Sequence, residues 1–170
     1  MVTNENKEKG RTAERMFKEW LDKHKIPYLY INQEPETFSS FFKEDLRNKR
    51  PDFILLIPYF GFIFVDVKYK NINNNQNNFP IDASDAKKYS SLQRRFNINT
   101  WFVISNENVA YDTWYWIPVS KVLEAGINLR RSSKSGELFF PIPKNLFIQV
   151  AGSDSLSRLF SKLFERDNEK

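Results

Sequence analysis

Two apolar runs meeting at a short, glycine-containing link constrain this chain more than anything else in it. Pro51 opens the first run, Asp52 to Ile57, which is apolar everywhere except at its leading aspartate. The second, Phe62 to Val67, is apolar except at Asp66, and Lys68 follows it directly. Runs joined this closely form a hairpin, and runs apolar on both faces belong inside a sheet covered on both sides. Register then decides where the charges go, because a one-residue slip moves every side chain to the other face. Asp66 and Lys68 lie two apart and share a face. A three-residue loop, Tyr59-Phe60-Gly61, with Gly61 in the left-handed position, sets Pro58 opposite Phe62, Ile54 opposite Asp66 and Asp52 opposite Lys68. All three polar residues then converge; an even loop would part the two carboxylates.

Two carboxylates and an ammonium in an apolar hairpin are costly unless something compensates them. A divalent cation does so. With no cysteine and a single histidine, the chain offers hard oxygen ligands, which favour Mg²⁺, with Mn²⁺ as a substitute, over zinc. Such an ion polarises a phosphodiester and lowers the pKa of a bound water. Lys68 is then placed to hold or help deprotonate that water and to offset charge building on the phosphate. The blander alternative makes Asp66 and Lys68 a surface pair at the end of a strand, which their apolar neighbours on both faces disfavour.

The remaining segments supply layers around the hairpin. Ala13, Met16, Phe17, Trp20 and Leu21 have the spacing of a buried helix face, which Pro27 ends. Tyr28 to Asn32 reads as a short strand, and residues 33–50 as a loop with a helical turn. Asn71 to Asn78 is a polar, low-complexity loop expected to be mobile. Asp82 caps a helix to about Asn97, with Ala86, Tyr89, Gln93 and Phe96 along one side. Trp101 to Ser105 and Ala110 to Ile117 read as strands, with a short helix at Val119 to Ala125. A basic, Ser-rich loop, Arg130 to Gly136, then precedes a strand near Leu146 to Val150. A C-terminal helix carries Leu156, Leu159, Phe160, Leu163 and Phe164. A polar tail, residues 1–9, ahead of one domain, residues 10–170, is the organisation expected of 170 residues that are 41% hydrophobic. The element order implies an α/β fold with a mixed sheet.

Pro51-Asp52, then Asp66-Val67-Lys68 after thirteen intervening residues, resembles the PD-(D/E)xK motif of the restriction-endonuclease-like nuclease superfamily. Gly10-Arg11-Thr12-Ala13-Glu14 resembles the first helix of that superfamily's archaeal Holliday-junction resolvases and their relatives. The resemblance covers roughly residues 10–105. It implies a restriction-endonuclease-like core, a central mixed β-sheet flanked by helices, with extra C-terminal β and α elements. It implies that Asp52, Asp66, the backbone carbonyl of Val67 and Glu14 ligate the metal. Lys68 becomes the catalytic lysine, and Gln93 orients a ligand or the substrate. The acidic member is Asp66 where many relatives carry Glu; both satisfy the pattern. The activity implied is a Mg²⁺-dependent endonuclease acting on DNA, with RNA left open. A rival reading is a nuclease-fold subunit that binds nucleic acid without cutting it, and another is an interaction protein with an accidental motif.

Lys plus Arg number 26 against 21 Asp plus Glu, a net charge of +5 that permits a polyanionic partner without demanding one. Lys49, Arg50, Lys87 and Lys88 flank the hairpin and are the first candidates for phosphate contacts; Arg94, Arg95, Arg130, Arg131 and Lys134 rank behind them. His24, near a helix end, reads as dipole-compensating or exposed rather than as a ligand. Trp114-Tyr115-Trp116 reads as core before it reads as a base-stacking strip. The first ten residues lack the apolar stretch of a signal peptide, so a soluble, cytoplasmic protein without membrane association is expected. A chain this small that cuts both strands needs two copies, so a homodimer is expected.

Overall fold

A computed structural model of the protein describes residues 4–44, 49–58, 60–72, 77–126, 128–133 and 135–159. Its helices are α1 (Asn4–Lys23), α2 (Ser40–Glu44), α3 (Ala83–Phe96) and α4 (Val119–Ala125). Its strands are β1 (Tyr28–Tyr30), β2 (Phe53–Ile57), β3 (Gly61–Tyr69), β4 (Asn78–Asp82), β5 (Thr100–Ser105), β6 (Thr113–Pro118), β7 (Arg130–Arg131), β8 (Leu138–Pro143) and β9 (Ile148–Ala151). Among the described residues, no helix is long and apolar enough to cross a membrane. The expected C-terminal helix lies almost wholly outside the described residues, although Leu159 is buried in the core.

The central sheet is mixed, in the order β1-β2-β3-β5-β6-β9, with β3 and β5 parallel and every other neighbouring pair antiparallel. Period-two alternation sorts its side chains between two cores. Ile63, Val65 and Val67 of β3, with Trp101, Val103, Trp114 and Trp116, pack against Phe17, Trp20 and Leu21 of α1. Phe102, Ile104, Tyr115 and Ile117 point the other way, against Ala86, Tyr89 and Leu92 of α3 and Val119 and Val122 of α4. Trp114, Tyr115 and Trp116 are thus all core. Asp66 and Lys68 fall on the α3 side of β3, and that parity is what builds the site.

Several sequence expectations change. The first helix begins at Asn4, so residues 4–9 are helical. The hairpin loop is three residues long but sits one residue earlier, at 58–60, so Ile57 pairs with Gly61 and Ile54 with Phe64. Pro58 has no N–H to give a ladder and suits a loop better than a paired strand end; Phe60 N closes the turn on Ile57 O at 3.1 Å. Gly61 takes φ +111°, a backbone angle that L side chains rarely adopt. The resulting register shift is two residues, an even number, so Asp52 stays on the face of Asp66 and Lys68.

The polar loop after Asn71 is shorter than expected, since Asn78 is buried and opens β4; residues 73–76 lie outside the described residues. Phe96 is 49% exposed instead of buried along α3. A second, three-stranded antiparallel sheet, β4-β8-β7, was absent from the sequence reading. Strands β6 and β9 also extend the main sheet well past residue 105.

Candidate active site

The C-terminal half of β3 delivers the charged residues to one cleft of about 780 Å³, lined by Glu14, Lys49, Asp52, Asp66, Lys68 and Asp85 among others. Asp66 is 1% exposed and Asp52 8%, so both carboxylates have lost nearly all of their water. Asp52 precedes β2, and its Oδ2 accepts the N–H of Val67 at 2.8 Å, which locks the two strands together. Burial first, then the charge of Asp66, pushes the Asp52 carboxyl well above the usual carboxylate range.

Asp66 is held from two sides. Its Oδ1 accepts the Tyr89 hydroxyl at 2.5 Å. Its Oδ2 lies 2.8 Å from Lys68 Nζ, an ion pair that partners this buried oxygen. The same Lys68 Nζ sits 2.8 Å from Asp85 Oδ2. Burial works against the ammonium, but Asp66, Asp85 and Asp52 outweigh it and raise the Lys68 pKa well above its ordinary value. Lys68 is therefore a charged group in this metal-free arrangement.

Glu14 reaches the cleft from the inner side of α1, half-buried, with its Oε2 accepting the Tyr30 hydroxyl at 2.9 Å. Burial raises its pKa and Asp66 adds to that, with the Tyr30 hydrogen bond opposing. Tyr30 in turn is pushed up to about 12 by burial and by Glu14.

The opposite wall is the first turn of α3. Asp82 caps that helix, accepting the N–H of Asp85 at 2.9 Å. Asp85 projects into the cleft and joins Lys49 at 2.6 Å and Lys68 at 2.8 Å. Burial alone would raise its pKa; the two ammoniums overturn this and hold it well below the usual carboxylate range. Lys49 also lies 3.5 Å from Asp66 Oδ1 and 5.5 Å from the centre of the Tyr89 ring.

The structure thus brings Asp52, Asp66, Val67, Lys68, Glu14 and Lys49 to one cleft. Gln93 is not among its lining residues; its Oε1 accepts the N–H of Thr100 at 3.0 Å and ties the end of α3 to the start of β5. Arg50 is buried, its guanidinium donating to Asn32 O and to Thr37 O and Oγ1 while stacking on Phe38 at 3.6 Å, so it serves the fold rather than a phosphate. Lys87 and Lys88 line a neighbouring depression with Ser91 and Arg94. His24 bridges two carbonyls, Nδ1 to Trp20 O at 2.7 Å and Nε2 to Gly152 O at 2.6 Å. Asp85 and Tyr89 are the residues that sequence reading missed as site residues. Their signal is a four-residue spacing on one helix face that meets β3.

Among the described residues, no three His, Cys, Asp or Glu side chains stand close enough together to enclose a metal ion. The donor chemistry nevertheless fits a hard divalent cation. Two buried carboxylates, Asp52 and Asp66, share the cleft with Glu14, and the charge of Asp66 helps to raise the Asp52 pKa.

No protein-family model matches the chain, and no curated protein matches it. Among solved structures, it is similar to Hjc, a Holliday junction resolvase from Archaeoglobus fulgidus, with 14% identity, a TM-score of 0.47, and 78% of this chain and 88% of that one covered. It is similar to a bacterial homing endonuclease at 12% identity and a TM-score of 0.44, covering 98% of this chain and 94% of that one. It is also similar to a nuclease from a fusselovirus, at 12% identity and a TM-score of 0.47, covering 98% of this chain and 99% of that one.

Proposed function

We propose that the protein is a metal-dependent endonuclease that hydrolyses phosphodiester bonds of DNA at a PD-(D/E)xK site on a restriction-endonuclease-like core. The observation that carries this reading is the pairing of Asp52 and Asp66, buried together in an open cleft with the Lys68 ammonium beside them. An apolar sheet gains nothing in stability from such a group of charges. Asp52, Asp66 and the Val67 carbonyl would hold Mg²⁺ or Mn²⁺, with Glu14 assisting from α1. That ion would supply Lewis-acid polarisation of the phosphate and a bound water of lowered pKa.

The chain's own residues do the rest. Asp52 and Asp66 present negative oxygens to the cleft, and the Val67 N–H fixes the direction of Asp52. Lys68 offers its ammonium to the phosphate oxygens, where charge builds during displacement, and orients the attacking water. Asp85 holds that ammonium in place between substrates. Lys49, beside Lys68, and Lys87 and Lys88 on α3 add positive charge along the approach.

A second reading has one observation in its favour. Lys68 is tied to both Asp66 and Asp85, and no three acidic side chains among the described residues stand close enough together to enclose a metal ion, which suits a subunit that binds nucleic acid without cutting it.

The deciding assay offers supercoiled plasmid, linear duplex, single strand and a four-way junction, each with Mg²⁺, Mn²⁺ or EDTA. Wild type cuts with metal and not with EDTA, and Lys68→Ala cuts about 10²–10⁴-fold more slowly. Calorimetry adds a readout independent of cutting: wild type binds Mg²⁺ or Mn²⁺, and Asp66→Ala does not. Tight binding of DNA with no cleavage of any substrate would establish the second reading. Equal cleavage by Lys68→Ala would end the first.

A further inference from the structure

The active cleft continues into a second depression. The turn that follows β7 walls a groove of about 550 Å³ carrying Arg130, Arg131, Ser132, Ser133 and Ser135. Lys70, Asp82 and Glu137 line both this groove and the active cleft, so the two form one path. Lys70 lies two residues beyond Lys68, with its carbonyl accepting Asn106 Nδ2 at 2.7 Å. Burial and the neighbouring Lys68 lower its pKa. The two carboxylates sit on the shared rim, whereas the far wall is cationic and hydroxyl-rich.

That far wall is built, not incidental. Arg131 Nη1 donates to Gly136 O at 2.7 Å, Ser132 N to Glu137 O at 2.8 Å and Gly136 N to Ser132 O at 2.9 Å. Gly136 takes φ +73°, which lets the turn close tightly. Both arginines, the two residues of β7 ahead of this pinned turn, are exposed and line the groove. Three cationic side chains, Lys70, Arg130 and Arg131, in a groove that continues the active cleft suit a run of phosphates.

Resting on the nuclease reading of the cleft, we propose that this groove holds the phosphodiester backbone of the substrate strand next to the bond that is cut. Arg130, Arg131 and Lys70 face its phosphates, and the serine hydroxyls supply neutral donors. Contacts of this kind position a strand without reading its sequence. The β4-β8-β7 sheet then acts as a guide for the strand.

The test is fluorescence anisotropy of a labelled duplex and a labelled single strand, titrated with KCl in EDTA so that nothing is cut. The proteins are wild type, Arg130→Ala/Arg131→Ala and Ser133→Glu, the last adding a negative charge without touching either arginine. Both variants bind about tenfold more weakly at moderate salt. The slope of log K against log salt shrinks by about 0.9 per lost phosphate contact on duplex and about 0.7 on single strand. Mg²⁺ calorimetry stays as in wild type, which separates groove from cleft. Wild-type affinity and slope in both variants would overturn the groove while leaving the nuclease reading intact. Failure of the wild-type protein to bind either strand in EDTA would also overturn the groove, whereas the nuclease reading stands or falls on cleavage with Mg²⁺.

Discussion

The two walls of the cleft treat a carboxylate in opposite ways. On the strand wall, Asp52 is buried beside Asp66 and its pKa is driven up, by burial and then by that neighbour. On the helix wall, Asp85 is also partly buried, but Lys68 and Lys49 sit 2.8 and 2.6 Å away and its pKa is driven down. The residue type is the same; what differs is the sign of the nearest charge. The helix wall is electrostatically satisfied as it stands and reads as scaffold. The strand wall holds excess negative charge, which in an otherwise apolar sheet is a standing cost to the fold. A site that must attract a cation keeps this kind of unfavourable arrangement.

Breaking the satisfied wall has the larger effect on stability. Asp85→Asn leaves Lys68 and Lys49 with Asp66 as their shared ion-pair partner among the described residues, and costs about 2 kcal/mol at pH 7, read from the urea midpoint. The pH dependence gives its sign. A carboxylate with a depressed folded pKa contributes stability above its unfolded value, and loses it as pH falls through the folded value. The gap between wild type and Asp85→Asn therefore closes as pH drops below about 4. A gap that stays constant into acid would mean that Asp85 acts through packing rather than charge.

Relieving the strand wall works the other way. Asp52→Asn keeps an acceptor for the Val67 N–H and removes one of two repelling charges. In metal-free buffer it stabilises the protein by about 1 kcal/mol at pH 7. A raised folded pKa contributes stability that is complete below the unfolded value and lost as pH rises toward the folded one. The advantage of the variant therefore opens upward from about pH 4, the mirror image of Asp85. Added Mg²⁺ erases it, because the ion stabilises only the protein that binds it. Equal stability of Asp52→Asn and wild type at every pH in EDTA would remove the contrast between the walls.

How much of this the sequence disclosed follows from what each feature depends on. The strand wall was legible because parity survives an error: the loop was placed one residue late, and the two-residue shift that results leaves Asp52, Asp66 and Lys68 on one face. The α1 face was legible from local spacing, and α4 spans the Val119 to Ala125 stretch expected of a short helix. The β4-β8 pairing was hidden by its own chemistry. Pro80 pairs with Pro141, and Asn78 with Pro143, so both strands carry residues that signal the end of a strand. Asp85 was hidden for another reason. An acid in the first turn of a helix already has a local explanation, and its partners, Lys49 and Lys68, come from distant parts of the chain. Arg50 shows the same limit in reverse, since only the fold reveals that its guanidinium is consumed by Asn32, Thr37 and Phe38.

The smallest effect tests whether the walls are coupled at all. Tyr89 lies on the helix wall, yet its hydroxyl faces the strand wall, 2.5 Å from Asp66 Oδ1 and 2.9 Å from Arg50 O. Burial, then Asp66, raises its pKa well above the ordinary phenol value, so it remains a proton donor at any working pH. Tyr89→Phe removes that donor and costs about 1 kcal/mol, seen in the urea midpoint. The informative quantity is how this cost changes in the Asp52→Asn background. If the phenol steadies Asp66 against its charged neighbour, neutralising that neighbour makes the phenol worth less, and the two effects interact by about 0.5 kcal/mol or more. Strict additivity would mean that each wall holds its charges alone, and that α3 supports the cleft only by packing.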